Sequence, residues 1–327
     1  MREHPSRGAR RGTRRPPLNP RRGFQLALLT ASLWGLLPVA LKIALDGMDA
    51  YTITWWRFAF SAVVLGLFLA WRGQLPRVRD AGRRAWMLLF VALLTLLANY
   101  VLYLLALDVT SPSVAQVMIQ LAPLLLLLGG VFVFREPFAA RQWMGLVLLG
   151  VGLVLFFNRR LPELTRPTEG LGLGVLLLIA AAVSWAIYGI AQKRLLDGFS
   201  SQQVLWILYV GSTVILLPIA TPAAVFALSR TQLIMLAFCC ANTVVAYGAF
   251  GEALSSWEVS RVSAVLSTGP LFTIASMSLI DRMNWTVLPS EGLNTLSVVG
   301  ALAVVGGSMT CALARGASAG AGATALD

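Results

Sequence analysis

The sequence predicts an all-α membrane protein of ten transmembrane helices, arranged as two inverted five-helix repeats. Hydrophobic residues make up 57% of the chain and charged residues only 12%, whereas a soluble globular domain carries about 25% charged residues. Apolar runs recur from residue 24 to residue 314, and most reach the roughly 20 residues that a helix needs to cross a bilayer. The last five runs repeat several distinctive residues of the first five, which indicates an internal duplication.

The apolar runs define ten predicted spans and the segments between them. The two repeats are expected at 23–158 and 172–314, with a linker at 159–171 between them. A disordered basic tail is expected at 1–22 and a flexible C-terminal tail at 315–327. The predicted spans are 24–44, 51–71, 86–106, 111–134, 142–158, 172–193, 203–221, 232–251, 259–280 and 294–314.

The basic residues are distributed as in a bacterial inner-membrane protein. The net charge of +12 would suit a nucleic-acid partner, but such proteins gather basic residues on a folded face or arm. Here they lie at the ends of apolar runs: 19 fall in the tails and the loops on one side, against five in the loops on the other. The positive-inside rule then places both termini in the cytoplasm and favours the lipid bilayer, not nucleic acid, as the partner.

The internal repeat determines the topology. Because each half has five spans, the second half must insert with the opposite orientation, and inverted repeats are typical of secondary transporters with a substrate site near the membrane midplane. The residues that match at a sequence offset of 151 include Trp34 and Trp185, Lys42 and Lys193, and Trp55 and Trp206; those at an offset of 147 include Tyr100 and Tyr247, and Pro123 and Pro270.

A transporter of small organic molecules by alternating access is therefore the leading interpretation. A membrane-embedded enzyme and a non-transporting sensor or assembly protein are the alternatives. The only histidine, His4, lies in the tail, and no phosphate-binding loop is present, so neither catalysis nor a cofactor is expected. The three cysteines, Cys239, Cys240 and Cys311, lack metal-ligand spacing, so no metal site is expected. The sequence does not indicate the oligomeric state.

Several motifs resemble the EamA-type branch of the drug/metabolite transporter superfamily. They are Leu33-Trp34-Gly35 followed by Lys42, Trp56-Arg57-Phe58, Arg135-Glu136-Pro137, and the stretch from Ala246 to Pro270. The resemblance covers about residues 24–314 and implies ten helices, a central cavity, and export of amino acids, related metabolites or drugs. At the offset of 147, Glu136 aligns with Met283, and Asp281 lies two positions earlier. The second half therefore departs from the family pattern at this glutamate.

Two apolar runs carry polar residues on one helical face beside a proline. The i, i+4, i+7 spacing aligns these side chains along one side of a helix, and a proline in hydrocarbon frees a carbonyl that needs a partner or water. The interpretations are a substrate cavity between the halves or packing kinks with interhelical hydrogen bonds. The residues are Gln116, Gln120 and Pro123 in the fourth span, and Ser263, Ser267 and Pro270 in the ninth.

Aromatic and amide residues extend the predicted cavity. Trp34 and Trp185 lie four residues before Pro38 and Gly189, so each is a candidate gate beside a predicted helix break, or a core packing residue. The other candidates for substrate contact, which could instead be interfacial or structural, are Asn99, Tyr100, Tyr103, Tyr188 and Tyr247.

Charged residues in or beside the spans are candidates for gating or coupling, because a charge at a helix centre costs about 2.5–3.5 kcal/mol on the insertion scale. Lysines at helix ends also extend to the interface without a gating role, and the acidic residues could form a latch or an ordinary ion pair. Glu252 is the candidate for a proton site. The set comprises Lys42, Arg57, Lys193, Glu252, Glu258 and Arg261.

Overall fold

A computed structural model describes residues 19–76, 82–134, 140–164, 170–283 and 288–323. Within these ranges the regular secondary structure is helical and contains no strand. The first half contains α1 (Pro20–Leu45), α2 (Ala50–Trp71), α3 (Arg83–Val109), α4 (Pro112–Met118), α5 (Leu121–Phe134) and α6 (Ala140–Phe156). The remainder contains α7 (Leu161–Leu164), α8 (Gly170–Leu195), α9 (Ser201–Leu216), a 3-10 helix (Pro222–Ala227), α10 (Arg230–Ser256), α11 (Val259–Leu266), α12 (Gly269–Arg282) and α13 (Thr295–Ala323).

The length and composition of these helices fit a membrane protein. In the described part of the chain, seven helical stretches are long and apolar enough to cross a membrane, and three apolar helices are shorter. The seven include α11 and α12 as one stretch. Large apolar side chains such as Leu67, Met144 and Val147 are mostly exposed on the outside of the bundle, which indicates that the bundle is surrounded by lipid.

Consecutive long helices are antiparallel, so the bundle has two faces. We call the face at which α1 begins the near face and the face at which α1 ends, at Leu45, the far face. Asn19 N donates to Ser256 O on the near face (2.9 Å). On the far face, Asn158 Nδ2 lies 3.3 Å from Asn294 Oδ1. Contacts of this kind join helix ends from both halves at each face.

Local sequence explains several helix starts. Asp49 caps α2 by accepting hydrogen bonds from the N–H groups of Tyr51 and Thr52 (2.9 and 3.0 Å). Ser200 and Ser229 form capping boxes with the glutamine three residues later, at the starts of α9 and α10. Each cap satisfies N–H groups that a helix start leaves without intrahelical acceptors.

The core is built from helix pairs in which a helix of the first half packs against a helix of the second half. The most extensive pairs are α6 with α13, α3 with α8, and α1 with α10, followed by α2 with α9. In the two repeats α1 corresponds to α8, and α3 corresponds to α10. The pairs α3–α8 and α1–α10 are therefore equivalent. This exchange of equivalent partners is the packing expected of an inverted repeat.

At both chain ends a helix extends beyond the boundary predicted for the adjoining tail. α1 begins at Pro20, so the basic tail does not extend to residue 22; Asn19 caps this helix and accepts from Arg22 N (3.2 Å). α13 continues to Ala323, beyond the predicted start of the C-terminal tail at 315. The motif Arg135-Glu136-Pro137, residues 1–18 and residues 324–327 lie outside the described residues.

Candidate functional site

The helix breaks in the fourth and ninth predicted spans meet at the centre of the bundle. The first separates α4 from α5 at residues 119–120, and the second separates α11 from α12 at residues 267–268. Gln120 Nε2 donates to the carbonyl oxygen of Ser267 (2.7 Å). Ser267 is related to Gln120 by the repeat offset of 147, so this bond joins two equivalent points of the halves and lies on their pseudo-two-fold axis.

The bundle is packed differently on the two sides of these breaks. On the far side, α4 packs against α12. The equivalent pair on the near side is α5 with α11, and within the described residues these helices have few contacts: α5 packs on α8, while α11 packs on α13 and α1. Within the described residues, the two repeats are therefore packed together more closely in the far half than in the near half.

The polar residues beside the breaks lie at this junction. Gln116 and Gln120 are buried, and a β-carbon added at Gly269 would lie 2.8 Å from Gln116 Nε2. Ser267 Oγ donates to Ser263 O (3.0 Å), and Ser263 is partly exposed. The structure thus brings both predicted polar faces together around the axis. Pro123 and Pro270 fall at the third position of α5 and the second of α12.

Pro38 and Gly189 do not interrupt their helices, contrary to the sequence-based expectation of helix breaks. α1 is continuous through Pro38, and α8 is continuous through Gly189. Pro38 has no N–H group to donate to the carbonyl four residues earlier, that of Trp34. The next carbonyl, Gly35 O, accepts a hydrogen bond from Thr273 Oγ1 of α12. Glycine keeps its N–H group and therefore does not itself interrupt the helical hydrogen bonds.

Trp34 and Trp185 pack in different aromatic surroundings. The Trp34 ring lies 5.4 Å from the Tyr247 ring and 5.6 Å from the Phe250 ring, centroid to centroid, which joins α1 to α10. Trp185 packs against a cluster of buried residues that includes Tyr100 and Tyr188. Both tryptophans are partly buried between the halves.

A group of tyrosines surrounds one arginine. The Arg57 guanidinium carbon lies 4.7 Å from the centre of the Tyr100 ring, and its Nε donates to Thr243 Oγ1 of α10 (3.1 Å). Arg57 also interacts electrostatically with Tyr103 and Tyr209. Tyr188 and Tyr247 belong to the same group, because both interact with Tyr100. Asn99 lies beside it and donates to Ala181 O (2.9 Å), joining α3 to α8.

The two related lysines have different environments. Lys42 Nζ donates to the carbonyl oxygens of Leu107 and Asp108 at the end of α3 (2.9 and 2.7 Å), which fastens α1 to α3 at the far face. Lys193, near the end of α8 at the near face, is exposed.

The predicted group of Glu252, Glu258 and Arg261 divides into two ion pairs at the near face. Glu258 Oε2 accepts from Arg261 Nε within the first turn of α11 (2.8 Å). Glu252 Oε1 lies 2.8 Å from an Nη of Arg22 on α1. The charged groups of both pairs are about half exposed, with side-chain exposures of 47–61%, so each pair contributes little stability.

Sequence reasoning did not identify Glu291, which lies between α12 and α13 at the far face. Its Oε1 accepts from Ser113 N (2.9 Å), while Oε2 is buried without a hydrogen-bond partner. Burial raises the pKa of the Glu291 carboxyl, and hydrogen bonding by Ser113 opposes this shift. A cavity of about 140 Å³ lies beside it and is also lined by Asp281 and Ser290.

A different sequence offset would have identified this residue. Glu136 and Gly145 are nine positions apart, and so are Glu291 and Gly300. The offset is therefore 155 after the longer loop that follows α12, not 147, and Glu291, rather than Met283, is the counterpart of Glu136. At this offset the second half has a glutamate in the position that corresponds to Glu136. Asn242 and Thr243 were also missed, because α10 shows no polar face.

The described residues contain no group of three or more histidine, cysteine, aspartate or glutamate side chains arranged to hold a metal ion. Cys239, Cys240 and Cys311 are all buried, free thiols. The polar groups at the centre of the bundle are amides, hydroxyls and one guanidinium, which are suited to hydrogen bonding with an organic molecule.

Comparison with known proteins gives a consistent result. The model of the EamA-like transporter family matches residues 21–158 and 172–311. An uncharacterized transporter of Haemophilus influenzae is 39% identical over 291 residues, covering 89% of this chain and 94% of the relative. The uncharacterized inner membrane transporter YhbE of Escherichia coli is 38% identical over 292 residues, covering 89% and 91%.

Two more distant similarities extend this result. A probable amino-acid metabolite efflux pump of Escherichia coli is 25% identical over 297 residues, covering 86% of this chain and 92% of the relative. A crystal structure with 16% sequence identity superposes with a TM-score of 0.60, covering 90% of this chain and 98% of the other. At this identity the superposition shows a shared fold.

Proposed function

Because this chain belongs to the EamA-like transporter family, we propose that it is a secondary transporter that exports small organic metabolites by alternating access. Amino acids and related compounds are the proposed substrates, since one relative is named as a probable amino-acid metabolite efflux pump. The chain is a multi-pass inner-membrane protein, like the relative named as an inner membrane transporter. Ten spans are proposed, with α4–α5 and α11–α12 each crossing once.

The observation that carries the proposal is the hydrogen bond between Gln120 and Ser267 at the meeting point of the two helix breaks (2.7 Å). Closed packing of α4 on α12 lies on one side of it, and the loosely associated α5 and α11 lie on the other. Because the two sides are built from equivalent parts, exchanging their packing would close the near half and open the far half. A sensor or an enzyme does not require this equivalence.

The proposed orientation places the near face in the cytoplasm. The support is the distribution of basic residues, 19 against five, by the positive-inside rule. Both termini are then cytoplasmic, and the less closely packed near half of this structure corresponds to the inward-facing state. In this state an exporter accepts its substrate from the cytoplasm.

A proton is the proposed coupling ion, and two carboxylates are candidates to carry it. Glu252 is paired with Arg22 and about half exposed. Glu291 is more buried, and its Oε2 lacks a hydrogen-bond partner. Glu291→Gln is expected to make export insensitive to external pH, whereas Glu252→Gln is expected to leave the pH dependence unchanged. The opposite result would assign the proton to Glu252.

Export is tested by comparing the metabolites in the growth medium of matched cells that lack or overproduce the protein. We expect a compound class to rise outside on overproduction and to fall back with Gln120→Leu or Trp185→Ala. Thr95→Val is the control, because Thr95 Oγ1 donates only within α3. No change in any small molecule, with the protein confirmed in the membrane, would contradict export.

Orientation is tested with single cysteines in a variant lacking the three native ones. Ser263→Cys, in α11 on the near side of the helix break, should react with a membrane-impermeant thiol reagent in inside-out vesicles but not in intact cells. Ala227→Cys, on the exposed far-face 3-10 helix, should show the reverse. Reaction of Ser263→Cys only in intact cells would mean that the near face is periplasmic.

A further inference from the structure

Among the residues that the structure describes, Arg57 is a buried cation without an anionic partner. Only 4% of the residue is exposed, and its described contacts are the Nε bond to Thr243 and the ring of Tyr100. No ion pair with a carboxylate is formed by Arg57 within the part of the chain that the structure describes. Neither of these two contacts is a hydrogen bond from a terminal nitrogen of the guanidinium.

In the described part of the chain, the surroundings of Arg57 contain hydroxyls, thiols and aromatic rings but no carboxylate. The titratable side chains that it interacts with are Tyr103, Tyr209, Cys239 and Cys240. In addition, the indole N–H groups of Trp55 and Trp56 in the same helical turn are buried without an acceptor. This turn of α2 thus contains an excess of hydrogen-bond donors over acceptors.

An arginine keeps its charge in a protein, so burial in a membrane protein is costly unless an anion or other partner is present. The cation–π contact with Tyr100 offsets part of that cost. A guanidinium presents parallel N–H groups that match the two oxygens of a carboxylate. The terminal nitrogens of Arg57 are therefore suited to an organic acid.

The related helix of the second half shows that the architecture does not require this charge. At the offset of 151 that matches Trp55 to Trp206, the counterpart of Arg57 is Leu208, which is completely buried. A role in holding the repeat together would be equally needed in α9. Because the arginine is present in only one half, its role is better explained by contact with an asymmetric molecule, such as a bound substrate.

We propose that Arg57 binds the carboxylate of the transported compound, whose apolar part lies against the neighbouring aromatic rings. The substrate class is thus an organic acid or a zwitterion with a free carboxylate. This inference rests on the proposed transport function.

The test measures binding to the purified full-length protein in detergent, followed by quenching of tryptophan fluorescence and by thermal stability. The probes are 3-phenylpropionate and phenylalanine, which carry a carboxylate, and phenylalaninamide and phenethylamine, which do not. We expect the two acids to bind at least about tenfold more tightly than the amide and the amine, as charge-assisted hydrogen bonds usually produce.

Arg57→Gln should abolish the preference for the acids, and Arg57→Lys should retain part of it. Arg72→Gln is the matched control: Arg72 lies at the exposed end of the same helix, over the ring of Phe68 (4.8 Å), and its loss should leave the preference unchanged. Equal binding of all four probes to the wild-type protein, or no binding of either acid at millimolar concentration, would overturn the proposal without any variant.

Chloride is the competing anion. If sodium chloride stabilises the wild-type protein but not Arg57→Gln, and 3-phenylpropionate adds nothing, the site holds an inorganic ion and the proposal is wrong. The transport proposal fails separately. Acid binding through Arg57 without metabolite release would overturn export alone, whereas export of neutral amides or amines that Arg57→Gln leaves intact would overturn the carboxylate site alone.

Discussion

The helix pairs α6–α13 and α2–α9 each combine one helix from either half, but they preserve the repeat to different degrees. In α6–α13 one glycine contact is reciprocal. A β-carbon at Gly145 would lie 2.7 Å from Gly307 O, and one at Gly307 would lie 2.6 Å from Gly145 O. Gly152 and Gly300 face each other in the same way. The offset of 155 relates Gly145 to Gly300 and Gly152 to Gly307.

The pair α2–α9 is asymmetric where side chains face the tyrosines. Arg57 corresponds to Leu208. The tryptophans that match between the halves, Trp55 and Trp206, also differ in their hydrogen bonds. Trp206 Nε1 donates to Ala62 O (3.1 Å), whereas Trp55 Nε1 is buried without a partner. The two pairs therefore have different roles. The pair α6–α13 is a structural scaffold that is equivalent in both halves, whereas α2–α9 presents side chains suited to binding an asymmetric molecule.

The scaffold should be the part most sensitive to added volume. Gly152→Leu places a side chain where a β-carbon alone would lie 2.6 Å from Val304 N and 2.8 Å from Gly300 O. Since these are backbone atoms, the helices must separate, and we expect a loss of about 3 kcal/mol or more. Thermal unfolding and size-exclusion chromatography after solubilisation measure it.

Gly150→Leu provides the control in the same helix, because a β-carbon at Gly150 meets no atom within 4 Å. It should leave the unfolding temperature and the elution profile close to those of the wild type. Equal damage from Gly150→Leu and Gly152→Leu would mean that α6 tolerates no large residue at all, and would remove the support for a close crossing.

The next effect concerns the more closely packed far face. Lys42→Met removes two hydrogen bonds from a charged donor to the end of α3, and we expect a loss of about 1.5–3 kcal/mol in the stability of this structure. Lys193→Met, at the exposed related position, should lower the unfolding temperature less. A larger effect of Lys193→Met would indicate that the near face, not the far face, is the more closely packed one in solution.

Gln120→Leu separates stability from transport at the pseudo-axis. Loss of one hydrogen bond to Ser267 O should cost about 1 kcal/mol, a small shift in unfolding temperature. Export should fall by about tenfold or more, because the packing on both sides of the breaks depends on this junction. Unchanged export with Gln120→Leu would show that the junction does not take part in the transport cycle.

The helix positions and the paired breaks were accessible from the sequence, because long apolar runs and prolines are local signals. Partners within the site were not. The helices are apolar on most sides, so hydrophobic periodicity does not show which face of α2 meets Thr243 of α10. Arg57 was noticed as a charge inside a span, but the absence of a counter-ion is a property of the packing.

Glu291 was missed for a different reason. The loop between α12 and α13 shifts the repeat offset from 147 to 155, so a fixed offset aligns Glu136 with a residue that is not its counterpart. Only the equivalent crossing of α6 and α13, seen in the structure, establishes the second offset. The uninterrupted course of α1 through Pro38 was also not predicted, although Pro38 removes a helical hydrogen bond.

The smallest expected effect concerns Glu291 and extends the comparison of α6 with α13, since this residue precedes α13 as Glu136 precedes α6. Burial raises its pKa, so ionisation costs more in the folded state than in the unfolded chain, where glutamate has a pKa of about 4.3. The wild-type protein should therefore lose stability as the pH rises above about 4.3 and through the raised pKa, and its stability should be constant at higher pH.

Glu291→Gln keeps an acceptor for Ser113 N and should lack this loss, so its advantage in unfolding temperature should appear only toward neutral pH. Glu258→Gln, at an exposed ion pair, should show no such gain. A constant difference between Glu291→Gln and the wild type from pH 4 to pH 8 would mean that folding does not raise the pKa of Glu291.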